Sequence, residues 1–216
     1  MTLSTAPAET PEAIAAREAE IRGAAPRIPP LDRASVADQI REHTRSLRGG
    51  IVGDGADLPL DLIPEIMFTL CKHQDLWDRI MALSLQVQGT KGIVPPRDRQ
   101  LAILRTGWLL AAPYEWGEHV RQSKLVGITS VEIERVTKGS QASGWTRHER
   151  AVLRAAEELR ERVMVGDETW AVLAETYDER QLFELLALIG QFTSVAYIQN
   201  ALRLRLEPNN VGLAAR

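Results

Sequence analysis

Glu115 and His119 stand four residues apart in the segment PYEWGEHV, residues 113–120. On one helix that spacing puts both side chains on the same face, within reach of each other. A carboxylate that takes the proton of one imidazole nitrogen fixes the tautomer and raises the basicity of the other nitrogen. The pair is therefore the minimum equipment of a general base. Tyr114, Trp116 and Trp108 surround it with aromatic bulk that could exclude water or stack on a flat ligand. Arg97 and Arg99 fall in the first turn of the preceding helix, where their charge opposes the helix dipole. A negative partner nearby would account for them, and a guanidinium suits a planar anion. Two positions apart on a helix, they do not point the same way. Arg97, which shares a face with Gln100 and Leu101, is the one expected to face the site.

Each feature also has a structural reading. An i,i+4 Glu/His pair can be an ordinary exposed contact, paired arginines can be surface charges, and tryptophans at helical spacing usually fill cores. What favours chemistry is their crowding between Pro95 and Val120, around a break at Pro113. Other readings remain open: a non-enzymatic binding or assembly protein, a thiol peroxidase working through Cys71 alone, or a metal hydrolase using Glu115, Glu118 and His119. No His follows a Glu by three residues and H-E-x-x-H is absent, so the familiar bundle and protease metal signatures are missing. His43 reads as a solvated helix position. His73 reads as a cation at a helix C-terminus, and His148 as a first-turn residue after Thr146.

The elements that must position these residues belong to an ordinary globular chain. It has 216 residues, 44% of them apolar and 25% charged, with a net charge of −3. That allows a substantial core and supplies no basic field for nucleic acid or an anionic membrane. No apolar run is read as long enough to span a bilayer, no secretory signal is read at the N-terminus, and the single cysteine cannot form an internal disulfide. A cytoplasmic location is the expectation.

Residues 1–28 read as an extension that is partly disordered, with a short polar helix over 11–22. Residues 29–216 read as a single all-helical domain. PRIPPL, residues 26–31, cannot continue a helix. Ser35 is expected to cap a helix running to about Leu47. The glycines between Gly49 and Pro59 mark a loop. Helical periodicity then predicts helices over 62–72, 75–88, 98–112, 114–125, 131–137, 147–163, 167–176 and 178–205. Thr146 with Glu149 forms a capping-box signature. The alternating LRLRL, residues 202–206, is read as the amphipathic end of the last helix with Arg203 and Arg205 solvated. The fold class is all-α, a bundle of antiparallel neighbours joined by short loops.

The run PPRDRQLAILRTGWLLAAPYEWGEHVRQSKLVGIT resembles the core of the carboxymuconolactone decarboxylase family, which also contains the alkylhydroperoxidase D-like proteins. Weaker similarity extends from about Pro29, through His73, Trp77, Trp170, Tyr177 and Leu182, to about Asn200. Peroxidase-type members carry C-x-x-C-x-x-x-H and an upstream Glu. Aligned on His119, those positions hold Ala112, Glu115 and Gln100, so the chain is identified with the non-cysteine branch. The resemblance implies an alkylhydroperoxidase D-like bundle that forms a homo-oligomer. It implies proton transfer on a small carboxylated lactone, with no metal or organic cofactor; the charge balance already leads us to expect no nucleic-acid or membrane partner. His119 would transfer the proton and Glu115 would orient it or share the proton. Arg97 and Arg99 would bind the substrate carboxylate, Gln100 would be a neutral hydrogen-bond partner, and Tyr114 and Trp116 would line the pocket.

Overall fold

The computed structural model describes residues 10–41, 44–45, 59–60 and 63–216. Among these residues the secondary structure is helical throughout, with no strand, in agreement with the all-α expectation. The first helix, α1 (Pro11–Arg22), starts where the Thr10 side chain accepts from the amide of Ala13, with Pro11 in the first turn where its missing N–H costs nothing. The Pro26–Leu31 stretch is non-helical, with a bend at Arg27 and Ile28, and is pinned by the amide of Leu31 on the carbonyl of Phe68 (3.1 Å). The next turn, Ala34–Val36, departs from expectation. Asp32, not Ser35, supplies the cap: its carboxylate accepts the Ser35 amide at 3.2 Å, and Ser35 lies inside the turn. Residues 37–41 continue as α-helix; the expected end near Leu47, His43 and nearly all of the Gly49–Pro59 loop lie outside the described residues.

The remaining helices are α2 (Glu65–Leu70), α3 (Gln74–Val87), α4 (Pro96–Leu109), α5 (Pro113–Leu125), α6 (Ser130–Lys138), α7 (Arg147–Arg162), α8 (Asp167–Ala174) and α9 (Glu179–Leu202). Pro64 delays the start of α2 relative to the periodic pattern. His73 is not the cation at a helix end that the sequence suggests. It is the N-cap of α3, with Nδ1 accepting the amide of Leu76. Reciprocal capping boxes open α6 (Thr129/Glu132), α7 (Thr146/Glu149) and α9 (Asp178/Gln181).

The centre of the bundle is α4, which packs against α5, α6, α7 and α9. Leu101, Ala102, Ile103, Leu104 and Trp108 are all buried, so the helix is enclosed on every side rather than amphipathic. Its neighbours share one large apolar cluster that includes Trp116, Leu153, Leu185 and Phe192. A second cluster gathers Ile40, Ile63, Phe68, Trp77, Met81, Tyr114 and Leu204. The last helix, α9, corrects one sequence reading: its 24 residues are long and apolar enough, by length and composition, to cross a membrane. In this fold it is a core helix, with Leu182, Leu185, Leu188 and Phe192 buried against the bundle.

The last helix also ends earlier than its pattern suggests. Arg203 adopts a left-handed conformation (φ 54°) and closes α9 at Leu202. Leu204 then turns into the second cluster, and Arg205 pairs with the buried carboxylate of Glu65 (2.7 Å). The LRLRL run is thus the start of a strap that folds back over the bundle, and Arg205 is an ion-pair partner. Glu207 accepts the amide of Glu65 (2.6 Å) and the hydroxyl of Tyr114 (3.2 Å). Asn210 donates to the carbonyl of Tyr114 (3.0 Å), and Glu18 on α1 accepts the amide of Leu213. The N-terminal helix and the C-terminal strap are therefore tied to each other.

Candidate active site

The turn between α4 and α5 sets the geometry. Ala111 takes a left-handed conformation (φ 46°), and Pro113 occupies the first turn of α5. The chain doubles back and the two helices pack side by side. Gly107 and Glu115, each four residues from Ala111, come to face each other. A Cβ at position 107 would lie 3.2 Å from Oε1 of Glu115, so glycine leaves room for that carboxyl group. Further from the turn, Gln100 meets His119: the Nδ1–H of the imidazole donates to Oε1 of Gln100 at 3.0 Å. Phe192 of α9 braces the ring edge-on, with centroids 4.9 Å apart. Because the amide oxygen is an acceptor, Nδ1 carries the proton and Nε2 keeps its lone pair.

Glu115 and His119 line a cavity of about 120 Å³ at the seam between the two apolar clusters. That is far more than the ~10–15 Å³ a single water requires. Its apolar wall includes Ile66, Met67, Leu70, Met81 and Phe192. Its polar groups are unusual in having nothing to bind. Both oxygens of Glu115, Oε1 of Gln122, Oε1 of Gln199, Oγ1 of Thr44 and Nε of Arg121 are buried without a hydrogen-bond partner. Buried polar atoms are rarely left so, and here they gather on one cavity. Burial raises the Glu115 carboxyl well above its ordinary range and so favours its neutral, proton-donating form. Burial, and secondarily the charge of Arg121, bring His119 down to about 3, so the imidazole is neutral as well. The cavity thus offers a proton donor and a lone-pair acceptor on one helix face.

The structure brings Tyr114, Glu115 and His119 to the cavity and sends the other expected residues elsewhere. Glu115 does not orient His119; Gln100 does. Arg97 bridges Glu149 (2.8 Å) and Glu132, the carboxylates of two capping boxes, and does not line the cavity. Arg99 is buried and donates to the carbonyl of Gly89 (3.2 Å), also away from it. The negative partners that the first-turn arginines called for are thus largely protein groups. Trp116 is fully buried behind the site, packed against Trp108 with ring centroids 4.9 Å apart and planes tilted by 55°, and its indole N–H donates to the carbonyl of Ala215. Glu118 is buried, accepting from Asn210 (3.3 Å) and Arg121 (2.5 Å). His148 bonds Asp98 (3.0 Å), which also accepts the hydroxyl of Tyr177 (2.6 Å). Cys71 is buried in the second cluster, and burial pushes its thiol up to about 11, which leaves it protonated and a poor nucleophile. Among the described residues, no three His, Cys, Asp or Glu side chains are placed to hold a metal ion.

Sequence reasoning missed Arg121, Gln122, Gln199 and Thr44. Gln122 was accessible, since it continues the Glu115–His119 stripe at i+7. Gln199 and Thr44 come from elements distant in sequence, and no local spacing announces them.

Comparison with known proteins agrees with the fold. The carboxymuconolactone decarboxylase family model matches residues 74–158, the stretch that holds α4, α5 and the Glu115–His119 pair. Comparison with curated proteins gives no match. Among solved structures, an alkylhydroperoxidase AhpD core protein of Ralstonia eutropha superposes with a TM-score of 0.69 at 15% identity, over 88% of this chain and 98% of its own. A peroxidase-related protein of Silicibacter gives 0.68 at 11% identity, over 86% and 95%. The debrominase Bmp8 in complex with 2,3,4-tribromopyrrole gives 0.66 at 15%, over 85% and 93%. Residues 74–158 thus resemble the carboxymuconolactone decarboxylase family, and the fold as a whole is that of AhpD-like proteins.

Proposed function

We propose that this protein is a cofactor-independent enzyme that moves protons on a small oxygenated organic acid, a carboxylated lactone being the first class to test. The observation that carries the reading is the Glu115 carboxyl: buried, with both oxygens unpartnered, and beside His119 on the wall of a cavity, where burial favours its neutral form. A structural glutamate would bond its surroundings. A ligand that bonds this one would offset the cost of burying it unpartnered.

The chemistry follows from the two protonation states. Nε2 of His119 accepts a proton from a carbon next to a carbonyl, while Glu115 donates its proton to the carbonyl oxygen, giving an enol. Return of a proton to a different carbon completes an isomerisation. In a decarboxylation, the same acid protonates the enolate left when carbon dioxide departs. The enol stage of the isomerisation leaves a Glu115 carboxylate and a His119 imidazolium, which reset when the imidazolium protonates the other carbon and the enol hydroxyl returns its proton to Glu115; the decarboxylation consumes only the Glu115 proton, which is restored from solvent, and leaves His119 neutral. No redox partner is required. The buried thiol of Cys71 argues against the peroxidase chemistry suggested by the names of some structural neighbours.

Hydrogen–deuterium exchange reads the proton transfer independently of the net reaction. The full chain is incubated in heavy water with a panel of carboxylated lactones, and exchange next to the carbonyl is followed by NMR. The wild type is expected to catalyse exchange, and His119→Ala to lose it by roughly 100-fold or more, as loss of a general base does. Exchange that survives in His119→Ala at the wild-type rate would sink the assignment.

A further inference from the structure

Arg121 is the cation of the cavity, and we infer that it is the anion-binding residue of the site, so that the cavity selects a small monoanionic acid over its neutral analogues. This inference rests on the proposed catalytic reading for its choice of cavity, and it is tested separately from it.

The geometry is specific to this side chain. Among the described residues, Arg121 is the one cationic residue that lines the cavity, where it stands one position beyond the neighbour of His119 on α5. Its side chain is about a third exposed, so it sits where the cavity meets solvent rather than in the core. Nη2 donates to Oε2 of Glu118 at 2.5 Å, whereas Nε is buried and has no partner. Glu118 in turn is fixed from the other side by the Asn210 amide on the C-terminal strap. The guanidinium is therefore held in place with one donor spent and another left over, the arrangement of a preformed anion site.

The rest of the lining defines the remainder of the ligand. Oε1 of Gln122 and Oε1 of Gln199 are unpartnered acceptors, which call for a hydroxyl or other donor on the ligand. Glu115, whose burial favours the protonated form and whose oxygens have no partner, offers a donor to a carbonyl. Ile66, Met67, Leu70 and Phe192 call for an apolar body. A small hydroxylated or lactone acid, with its carboxylate on Arg121, meets all four demands. The same arrangement couples binding to reactivity. An anion on Arg121 would offset the positive charge that helps hold His119 in its weakly basic state.

The test compares binding of three carboxylates with binding of their methyl esters: γ-butyrolactone-γ-carboxylate, isovalerate and benzoate, titrated calorimetrically into the full chain. The wild type should prefer the carboxylate of at least one pair by about tenfold or more, the scale of a charge-assisted hydrogen bond. Arg121→Gln should bring that ratio close to one while leaving the ester's affinity unchanged. Arg121→Lys, which keeps the charge and loses the Nε donor, should retain only part of the preference. No carboxylate preference in the wild type, or a preference intact in both variants, overturns the inference. Catalysed exchange without a carboxylate preference would overturn Arg121 alone and leave the catalytic reading standing. Arg121-dependent carboxylate binding with no exchange on any lactone would do the reverse.

Discussion

The amide oxygen of Gln100 receives the Nδ1 proton of His119 across the α4–α5 interface, at 3.0 Å. The hydrogen bond joins residues that a short turn at Ala111 folds onto each other, and it decides which imidazole nitrogen is left for the cavity. Gln100→Leu removes the acceptor and leaves a buried N–H unsatisfied. Loss of about 1–3 kcal/mol of stability is expected, together with loss of the Nδ1–H tautomer in the nitrogen NMR spectrum of His119. A spectrum unchanged from wild type would show that Gln100 does not set the tautomer. Gln100→Glu should move the His119 titration upward from about 3, because a carboxylate favours the imidazolium.

The two buried titrating groups bracket the pH range of greatest stability. Glu115 has a folded value raised above its ordinary 4.5. Its contribution is complete below about pH 4.5 and is lost as pH rises toward the folded value. His119 is lowered from 6.5 to about 3. Its neutral form therefore supports the fold above pH 6.5, and that support is lost as pH falls toward 3. Glu115→Gln should match wild type in denaturant midpoint near pH 4 and exceed it increasingly toward pH 8. His119→Gln should flatten the acid limb, where wild type loses on the order of 4 kcal/mol. Parallel pH profiles for wild type and both variants would contradict these ionisation states.

Two glycines should respond in opposite ways to the same substitution. A Cβ at Gly117 would lie 1.7 Å from Oδ1 of Asn210, whereas one at Gly190 on α9 meets nothing within 4 Å. Gly117→Ala must push the C-terminal strap off α5, at a cost of about 1–3 kcal/mol. Gly190→Ala gains about 0.5–1 kcal/mol from reduced backbone freedom. For a chain of this length each kcal/mol moves the midpoint of thermal unfolding by about 2–4 °C. Equal shifts for the two variants would refute the contact.

Arg97 should matter to stability and not to the ligand. Arg97→Met takes a shared cation from Glu132 and Glu149, leaving each carboxylate in its own capping box. A loss of about 1 kcal/mol is expected, since the guanidinium is one-third exposed and partly screened. Carboxylate affinity should be unchanged. A large loss of affinity would return Arg97 to the role that its place in the motif first suggested.

The helices were legible because their caps and breaks are local. Thr146 with Glu149, Asp178, and the prolines at 95, 96 and 113 announce their elements within a few residues. The Glu115–His119 pair was legible for the same reason, being one helix turn apart. Its internal relationship was not. Spacing alone allows Glu115 to touch His119, and only the antiparallel return of the chain shows that Gln100 lies closer to Nδ1 and Gly107 to the carboxyl group. The arginines failed in the opposite sense. Their charge at a helix start did require negative partners, but the capping glutamates of α6 and α7, 35 and 52 residues downstream of Arg97, supply them. The C-terminal strap escaped notice because Leu204 and Leu206 continue an apolar period that a left-handed Arg203 interrupts.

The contact between Gly117 and Asn210 ties two distant sites into one heritable unit. A side chain at 117 is affordable only where the strap does not press on α5, and an asparagine at 210 is useful only where α5 exposes bare backbone to receive it. Descendants and relatives should therefore keep or lose the two residues together. A homologue with alanine at the position of Gly117 should carry a tail that runs elsewhere and, with it, a different means of holding the glutamate that steadies Arg121.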